Sequence, residues 1–339
     1  MISSDIPLID LHRHLEGNMR LETIIELAQT HNIDLPASQP EELRPFVQVQ
    51  SQQAGVMAFL EKFNLPMQVL ADLDACQRVA YEAVIDAAEE GIDYVELRFS
   101  PWFMAETHAL DPQGVVEAVL DGVQKARQES DIQVNLLGIL SRTYGAQIAW
   151  RELEALLRYS ASIAGLDLAG DEVNFPAALF QEHFRKGREA GWQITVHAGE
   201  SAGAESVWRS IQLLGAKRIG HGLAVAKDPR LMDYVLEQGI AIECNLTSNV
   251  QTSSVSNYTS HPLKTFLEKG LLASINTDDP GISGIDLRYE YEVAAPLAGL
   301  NSALARQAQW NALESAFMTP TEKLALIQKC NLNNKPTMD

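Results

Sequence analysis

GWQITVHAGE, residues 191–200, decides the fold. It follows the helical pattern PAALFQEHFRKGREA, opens on a glycine, continues as a short apolar run and ends on His197 and Glu200. A glycine in that place is the expected C-terminal cap of the preceding helix. The same unit recurs as GAKRIGHGLA from Gly215, GIAIECNLTSN from Gly239 and GLLASINTDDP from Gly270. Each run is mostly apolar, as parallel strands covered on both faces should be.

Four earlier runs fit the same rhythm: PLIDLHRHL from Pro7, DYVELRFSP from Asp93, VNLLGILSR from Val134 and AGLDLAGDE from Ala164. Strands that alternate with helices imply parallel pairing through right-handed crossovers. Eight such units predict a closed (β/α)8 TIM barrel rather than an open doubly wound sheet, and no GxGxxG turn opens any helix. The 339 residues would allow two domains at roughly 150 residues each, but α/β barrels run longer as one. The expectation is one barrel domain over residues 1–339, with a helical insertion or lid region at 20–91 and extra C-terminal helices at 286–339.

Within that insertion, Val56, Phe59, Leu60 and Phe63 follow an i, i+3, i+4, i+7 spacing and make one apolar stripe. Two readings stand side by side: a stripe packed on the barrel, and a hydrophobic lid over its mouth.

The formal net charge is -19, with 46% of residues hydrophobic. Such a surface repels phosphate backbones and anionic lipid, so neither nucleic acid nor membrane is an expected partner. Small neutral or cationic ligands remain. Cys76, Cys244 and Cys330 are too few and too far apart for a disulfide framework, and no CxxC occurs. Reduced cytoplasmic cysteines are the simple reading. MISSDIPLID lacks the basic segment and apolar run of a secretory signal.

Side chains alternate along a strand, so Asp10, His12 and His14 share a face. In this fold the C-terminal ends of the strands form the active-site mouth. His12 and His14 reach it from the first strand, His197 and Glu200 from the fifth, His221 from the sixth, and Asp278 and Asp279 from the eighth. Buried imidazoles and carboxylates crowded together need a compensating charge, which a divalent metal supplies. Neutral imidazoles with one carboxylate suit zinc, which keeps a position for water at catalytic sites. His12 and His14 alone fit a hydrogen-bonded core pair as well as a metal clamp; the other strand ends tip the reading to a site. Glu200 is placed to shuttle a proton, and His221 to bind metal, orient water or stabilise charge on oxygen. His31, His108, His183 and His261 fall outside strand ends, His183 in a helix that reads as exposed, and are read as structural.

HRHLEG at 12–17, DLAGDE at 167–172, TVHAGE at 195–200, RIGHG at 218–222 and SINTDDP at 274–280 resemble, in order and spacing, the hallmarks of the adenosine deaminase family across nearly the whole chain. The resemblance implies a zinc barrel with a purine nucleoside as its small-molecule substrate. His12, His14, His197 and Asp278 would hold one zinc ion, and Glu200 would protonate purine N1. His221 would steer the attacking water, Asp279 would contact N7, the Gly170 backbone N3, and position 16 the ribose. His14 would also line the substrate site, and the stripe at 56–63 would match the family's hydrophobic gate. The expected reaction converts adenosine and 2′-deoxyadenosine to inosine and deoxyinosine plus ammonia, in purine salvage. Nucleobase deaminases with a PCxxC motif do not fit, since none is present.

Two departures stand out. Adenosine deaminases carry aspartate where this chain has Glu16, and the sister adenine deaminases carry glutamate, which keeps adenine as an alternative substrate. Asn245 and Leu246 replace the Cys-Pro common in the family's seventh strand. A purine-binding barrel without catalysis is the non-enzymatic alternative.

Overall fold

A computed structural model describes residues 1–333; residues 334–339 of the expected C-terminal helical region lie outside the described residues. Eight strands form one sheet: β1 (Ile9–His14), β2 (Tyr94–Phe99), β3 (Gln133–Ser141), β4 (Gly165–Ala169), β5 (Gln193–Ala198), β6 (Arg218–His221), β7 (Ala241–Cys244) and β8 (Ala273–Ile275). They lie in chain order, each parallel to the next. This is the (β/α)8 barrel that the repeating unit predicts. The glycines at 191, 215, 239 and 270 all take positive φ after a helix, as the capping argument requires.

The barrel closes by unusual means. β8 is three residues long, and beyond it Asp278 bonds to β1 in both directions: His14 N–H to Asp278 O at 2.8 Å, and Asp278 N–H to His12 O at 2.8 Å. Below, side chains replace ladder bonds. Leu11 N–H donates to Asn276 Oδ1 at 3.0 Å, and Thr277 Oγ1 donates to Asp10 Oδ2 at 2.6 Å. A second seam lies between β4 and β5, which pair only at Gly165–Gln193 and Leu166–Ile194. Above that point the Arg142 guanidinium donates to Leu168 O at 3.1 Å and His197 O at 2.7 Å.

An irregularity between Asp10 and Arg13 breaks the alternation expected of β1, so Asp10 does not share the face of His12 and His14: it pairs with Val95 and lies 3.8 Å from Arg13. Ile9, paired with Tyr94, packs with Leu11, Tyr94, Leu313 and Leu326, where the helices Ser302–Ser315 and Pro320–Asn333 cover the lower end of the barrel. Above them the inner face is charged. Glu96, Arg98, Asp167, Arg218 and Glu243 are all buried there. Arg218 bonds Glu96, and its Nε donates to Glu243 Oε1 at 2.6 Å. Arg98 spans Asp167 at 2.8 Å and Glu243 at 2.9 Å. Buried charges persist only when paired and hydrogen-bonded, and the barrel wall supplies both partners from different strands.

Between β1 and β2 run the helices Leu21–His31, Pro40–Val47, Val56–Leu60, Asn64–Val69 and Leu73–Glu89. The last is capped by Asp72, whose carboxylate accepts from Ala75 N–H at 2.8 Å. A tight turn, Glu61–Phe63, joins the third to the fourth, so the apolar stripe bends rather than continuing as one straight helix. No helix among the described residues is long and apolar enough to cross a membrane.

The ion-pair lattice gives a stability prediction. Arg218→Met removes the cation between two buried carboxylates and should lower unfolding stability by about 3–5 kcal/mol. Denaturant titration measures this; an unchanged midpoint would show that the pairing contributes nothing net.

Candidate active site

The strand ends bring four ligand atoms into van der Waals contact. His14 Nε2 lies 3.3 Å from His12 Nε2, 3.1 Å from His197 Nε2 and 3.3 Å from Asp278 Oδ1. His12 Nε2 lies 3.0 Å from Asp278 Oδ1. Ligands about 2.0–2.1 Å from a tetrahedral centre stand roughly 3.3 Å from one another. The spacing therefore fits one cation shared by all four groups. His221 offers a wider alternative, since ligand atoms of His12, His197, His221 and Asp278 all lie within 4.8 Å of one another. The shorter distances favour His14 as the fourth ligand, because His221 Nε2 stands 3.8 Å from Asp278 Oδ2.

The lattice below fixes which nitrogen His12 and His197 present. His12 Nδ1 bonds Glu243 Oε2 at 2.7 Å, and His197 Nδ1 bonds Asp167 Oδ2 at 3.0 Å. A carboxylate on Nδ1 leaves Nε2 as the free lone pair for metal and raises its basicity. Burial holds the His197 pKa down to about 3, which keeps that ring neutral, as ligation needs. Burial works to raise Asp278, but the facing imidazoles, with hydrogen bonds from His12 and His14, hold it well below the carboxylate range. Gly220 makes room for this stack: a Cβ there would sit 2.9 Å from His12 Cε1.

Above the ligands opens a cavity of ≈250 Å³, suited to one small molecule. Glu200 faces it. The loop that carries Glu200 is clamped by Glu172, which accepts backbone N–H bonds from residues 199, 200, 201 and 202 at 2.5–3.2 Å. Burial, first, and the nearby Asp278 charge raise the Glu200 pKa. Burial and Asp278 also push Asp279 far up, and burial lifts Glu16 to about 7. Asp279 Oδ1 and Glu16 Oε2 are buried without a hydrogen-bond partner among the described residues, while Glu16 Oε1 accepts from Ser100 N–H at 2.6 Å. Two acids thus enter the cavity with an unused oxygen each, a costly state unless a ligand completes it. Gly170 lines the same cavity at φ 107°, and a Cβ there would meet Thr143 Oγ1 at 2.4 Å. His221 and Asp278 also hold positive φ, 63° and 65°, a strain of about 1–3 kcal/mol each that clusters at functional sites.

Every site residue expected from the sequence either offers a ligand atom to this cluster or lines the cavity. Val56, Phe59, Leu60 and Phe63 all form its wall, with Phe103. The substituted seventh strand also gains an account. Asn245 Nδ2 lies 3.3 Å from His221 Nδ1, and Leu246 N–H donates to Glu290 Oε2 at 3.1 Å, which a proline could not do. One reading of the spare histidines needs correction. His183 is buried, not exposed, stacked on Trp150 at 4.1 Å with Nε2 on Ala146 O. His261 is buried as well, and bonds Asn249, a neighbour of His221. Sequence reasoning gave no role to Glu243, Asp167, Arg98 and Glu172. Asp167 and Glu172 lie within the DLAGDE motif at 167–172, and the signal for Arg98 and Glu243 is a charge inside an otherwise apolar strand, as in YVELRF and AIEC.

A family model described as adenosine deaminase matches residues 7–332. The chain belongs to the adenosine deaminase family. A protein named adenosine deaminase from Photorhabdus laumondii is 57% identical over 97% of this chain and 99% of its own length. One of the same name from Proteus mirabilis is 56% identical over 98% of this chain and its entire length. Among solved structures, an adenine deaminase from Arthrobacter aurescens superposes with a TM-score of 0.89 at 24% identity, covering 96% of this chain and 98% of that one. That likeness speaks to the fold.

Two substitutions separate ligand from support. His12→Ala should abolish stoichiometric metal binding, measured as metal per chain after dialysis. Asp167→Asn, which alters the carboxylate shared by His197 Nδ1 and Arg98 and leaves the metal-facing nitrogen untouched, should weaken metal affinity about 10- to 100-fold. Unchanged metal content in His12→Ala would remove that residue from the ligand set.

Proposed function

We propose that this chain is a zinc-dependent enzyme that hydrolyses adenosine and 2′-deoxyadenosine to inosine and deoxyinosine, releasing ammonia, within cytoplasmic purine salvage. The observation that carries the reading is the set of four ligand atoms linked by contacts of 3.0–3.3 Å beneath a cavity lined by acids. High identity to proteins named adenosine deaminase, over nearly their full length, supports the substrate. Three imidazoles and a carboxylate are a borderline-soft donor set that suits zinc. Zinc, when bound there, supplies Lewis-acid activation of a water near neutral pH.

The remaining chemistry belongs to the chain's own groups. Glu200, with its raised pKa, carries a proton to purine N1, which makes C6 electrophilic. His221 holds the attacking oxygen from the side opposite the purine. The C6–N6 bond then breaks, and the amino group leaves as ammonia after taking a proton. Asp279, kept protonated by burial and Asp278, donates to N7, and the Gly170 backbone meets N3. The carbon wall of Val56, Phe59, Leu60 and Phe63 acts as a lid that excludes water while the nucleoside is held.

A second reading, deamination of free adenine, draws on Glu16. Its extra methylene carries the carboxyl about 1.5 Å further than aspartate would, toward the ribose position. Against it, Glu16 folds one oxygen back onto Ser100 N–H and keeps a single oxygen for a sugar hydroxyl.

Turnover of adenosine, deoxyadenosine and adenine side by side, followed by the fall in purine absorbance, distinguishes the readings; adenosine should react fastest. Turnover of adenine alone would replace this reading with the second. Glu200→Gln should keep its zinc and lose roughly 10²–10⁴-fold in kcat, and near-normal kcat would show that the proton donor is misassigned.

A further inference from the structure

His221 differs from His12 and His197 in that its Nδ1 meets amides, not a carboxylate. Asn249 Nδ2 lies 2.9 Å away and Asn245 Nδ2 3.3 Å away. Which atom of the Asn249 amide faces the ring decides where the His221 proton sits, and an amide can turn either way.

A third residue settles the orientation. Leu263 N–H points at His261 Nδ1 at 3.1 Å. A backbone N–H only donates, so His261 Nδ1 must be bare and the ring proton must sit on Nε2. That Nε2–H donates to Asn249 Oδ1 at 3.1 Å. The amide nitrogen is then turned inward, with one hydrogen for His221 Nδ1 and the other for Glu200 Oε1 at 3.4 Å. Reversal would set the amide oxygen against the Glu200 carboxyl and leave His261 without an acceptor. With Nδ1 filled by a donor, a neutral His221 carries its proton on Nε2. That nitrogen stands 3.7 Å from Glu200 Oε2 and 3.8 Å from Asp278 Oδ2, facing the space where the reacting oxygen belongs.

We infer that His261 is a positioning residue for the deamination: through Asn249 it locks His221 in the tautomer that offers an Nε2–H donor to the attacking oxygen. The inference rests on the proposed function for its consequence, but the tautomer itself does not. His261 is buried, and does not line the cavity. It acts from the start of helix Leu263–Glu268, where its neighbour Pro262 precedes the first helical residue. Burial also pushes its pKa down to about 3, so it relays as a neutral ring.

The test uses zinc-loaded protein labelled with ¹⁵N-histidine. In the wild type, the His221 nitrogen shifts should report a protonated Nε2 and an unprotonated Nδ1. In His261→Phe that tautomer should be lost, and kcat on adenosine should fall about 10- to 100-fold with KM within about threefold and zinc content unchanged. His261→Gln returns an amide N–H near the place of Nε2 and should recover most of the lost kcat along with the tautomer. Should the phenylalanine variant fail to fold, Asn249→Asp serves instead: its carboxylate should draw the His221 proton onto Nδ1 and cost a similar factor in kcat. Loss of turnover with the wild-type tautomer intact would overturn the inference, as would full activity in His261→Phe or no recovery in His261→Gln. A wild type that turns over no purine nucleoside would instead sink the proposed function, while the nitrogen shifts still judge the tautomer.

Discussion

Asp278 joins the last strand to the first through its own backbone, with 2.8 Å bonds to His12 O and from His14 N–H. Its carboxylate meanwhile stands 3.0 Å from His12 Nε2 and 3.3 Å from His14 Nε2. Barrel closure and ligand assembly are thus the same event. The left-handed φ of Asp278 is what lets one residue serve both: its backbone turns into the β1 ladder while its side chain turns over the axis. A register slip at this seam would separate the histidines from the carboxylate and open the barrel together.

The interior explains why the imidazoles stay poised. Carboxylates buried among arginines remain ionised, since the Arg98 and Arg218 charges outweigh the burial of Glu243. Glu243 in turn faces His12, and Asp167, likewise kept ionised by His197 and Arg98 against its burial, faces His197. These two rings each have one nitrogen committed to a fixed anion and the other facing the mouth. A rigid, hydrogen-bonded support of this kind preorganises a site that flexible surface histidines could not maintain.

Much of this was readable from residues in order. The glycine-terminated helices, the short strands and their polar ends follow from local propensity and periodicity, so the barrel and its rim residues emerge together. What was hidden depends on partners far apart in the chain. Glu243 in AIEC looks like a lone charge in an apolar strand until Arg98, Arg218 and His12 surround it. Arg142 ends the run VNLLGILSR with no partner evident in sequence, yet its guanidinium ties β4 to β5. His183 sits in a polar helix whose amphipathic face was misjudged, because its burial comes from Trp150 and Phe180. Asn245 and Leu246 made no sense as replacements for Cys-Pro until His221 and Glu290 came into view.

The account stands on three imidazole nitrogens and one carboxylate oxygen gathered about a single ion. X-ray absorption at the zinc edge of the loaded protein tests it most directly. Nitrogen and oxygen scatterers at about 2.0–2.2 Å, with the outer-shell pattern of three imidazoles, are the expected result. A sulfur shell near 2.3 Å, or fewer than two imidazoles around the ion, would contradict it.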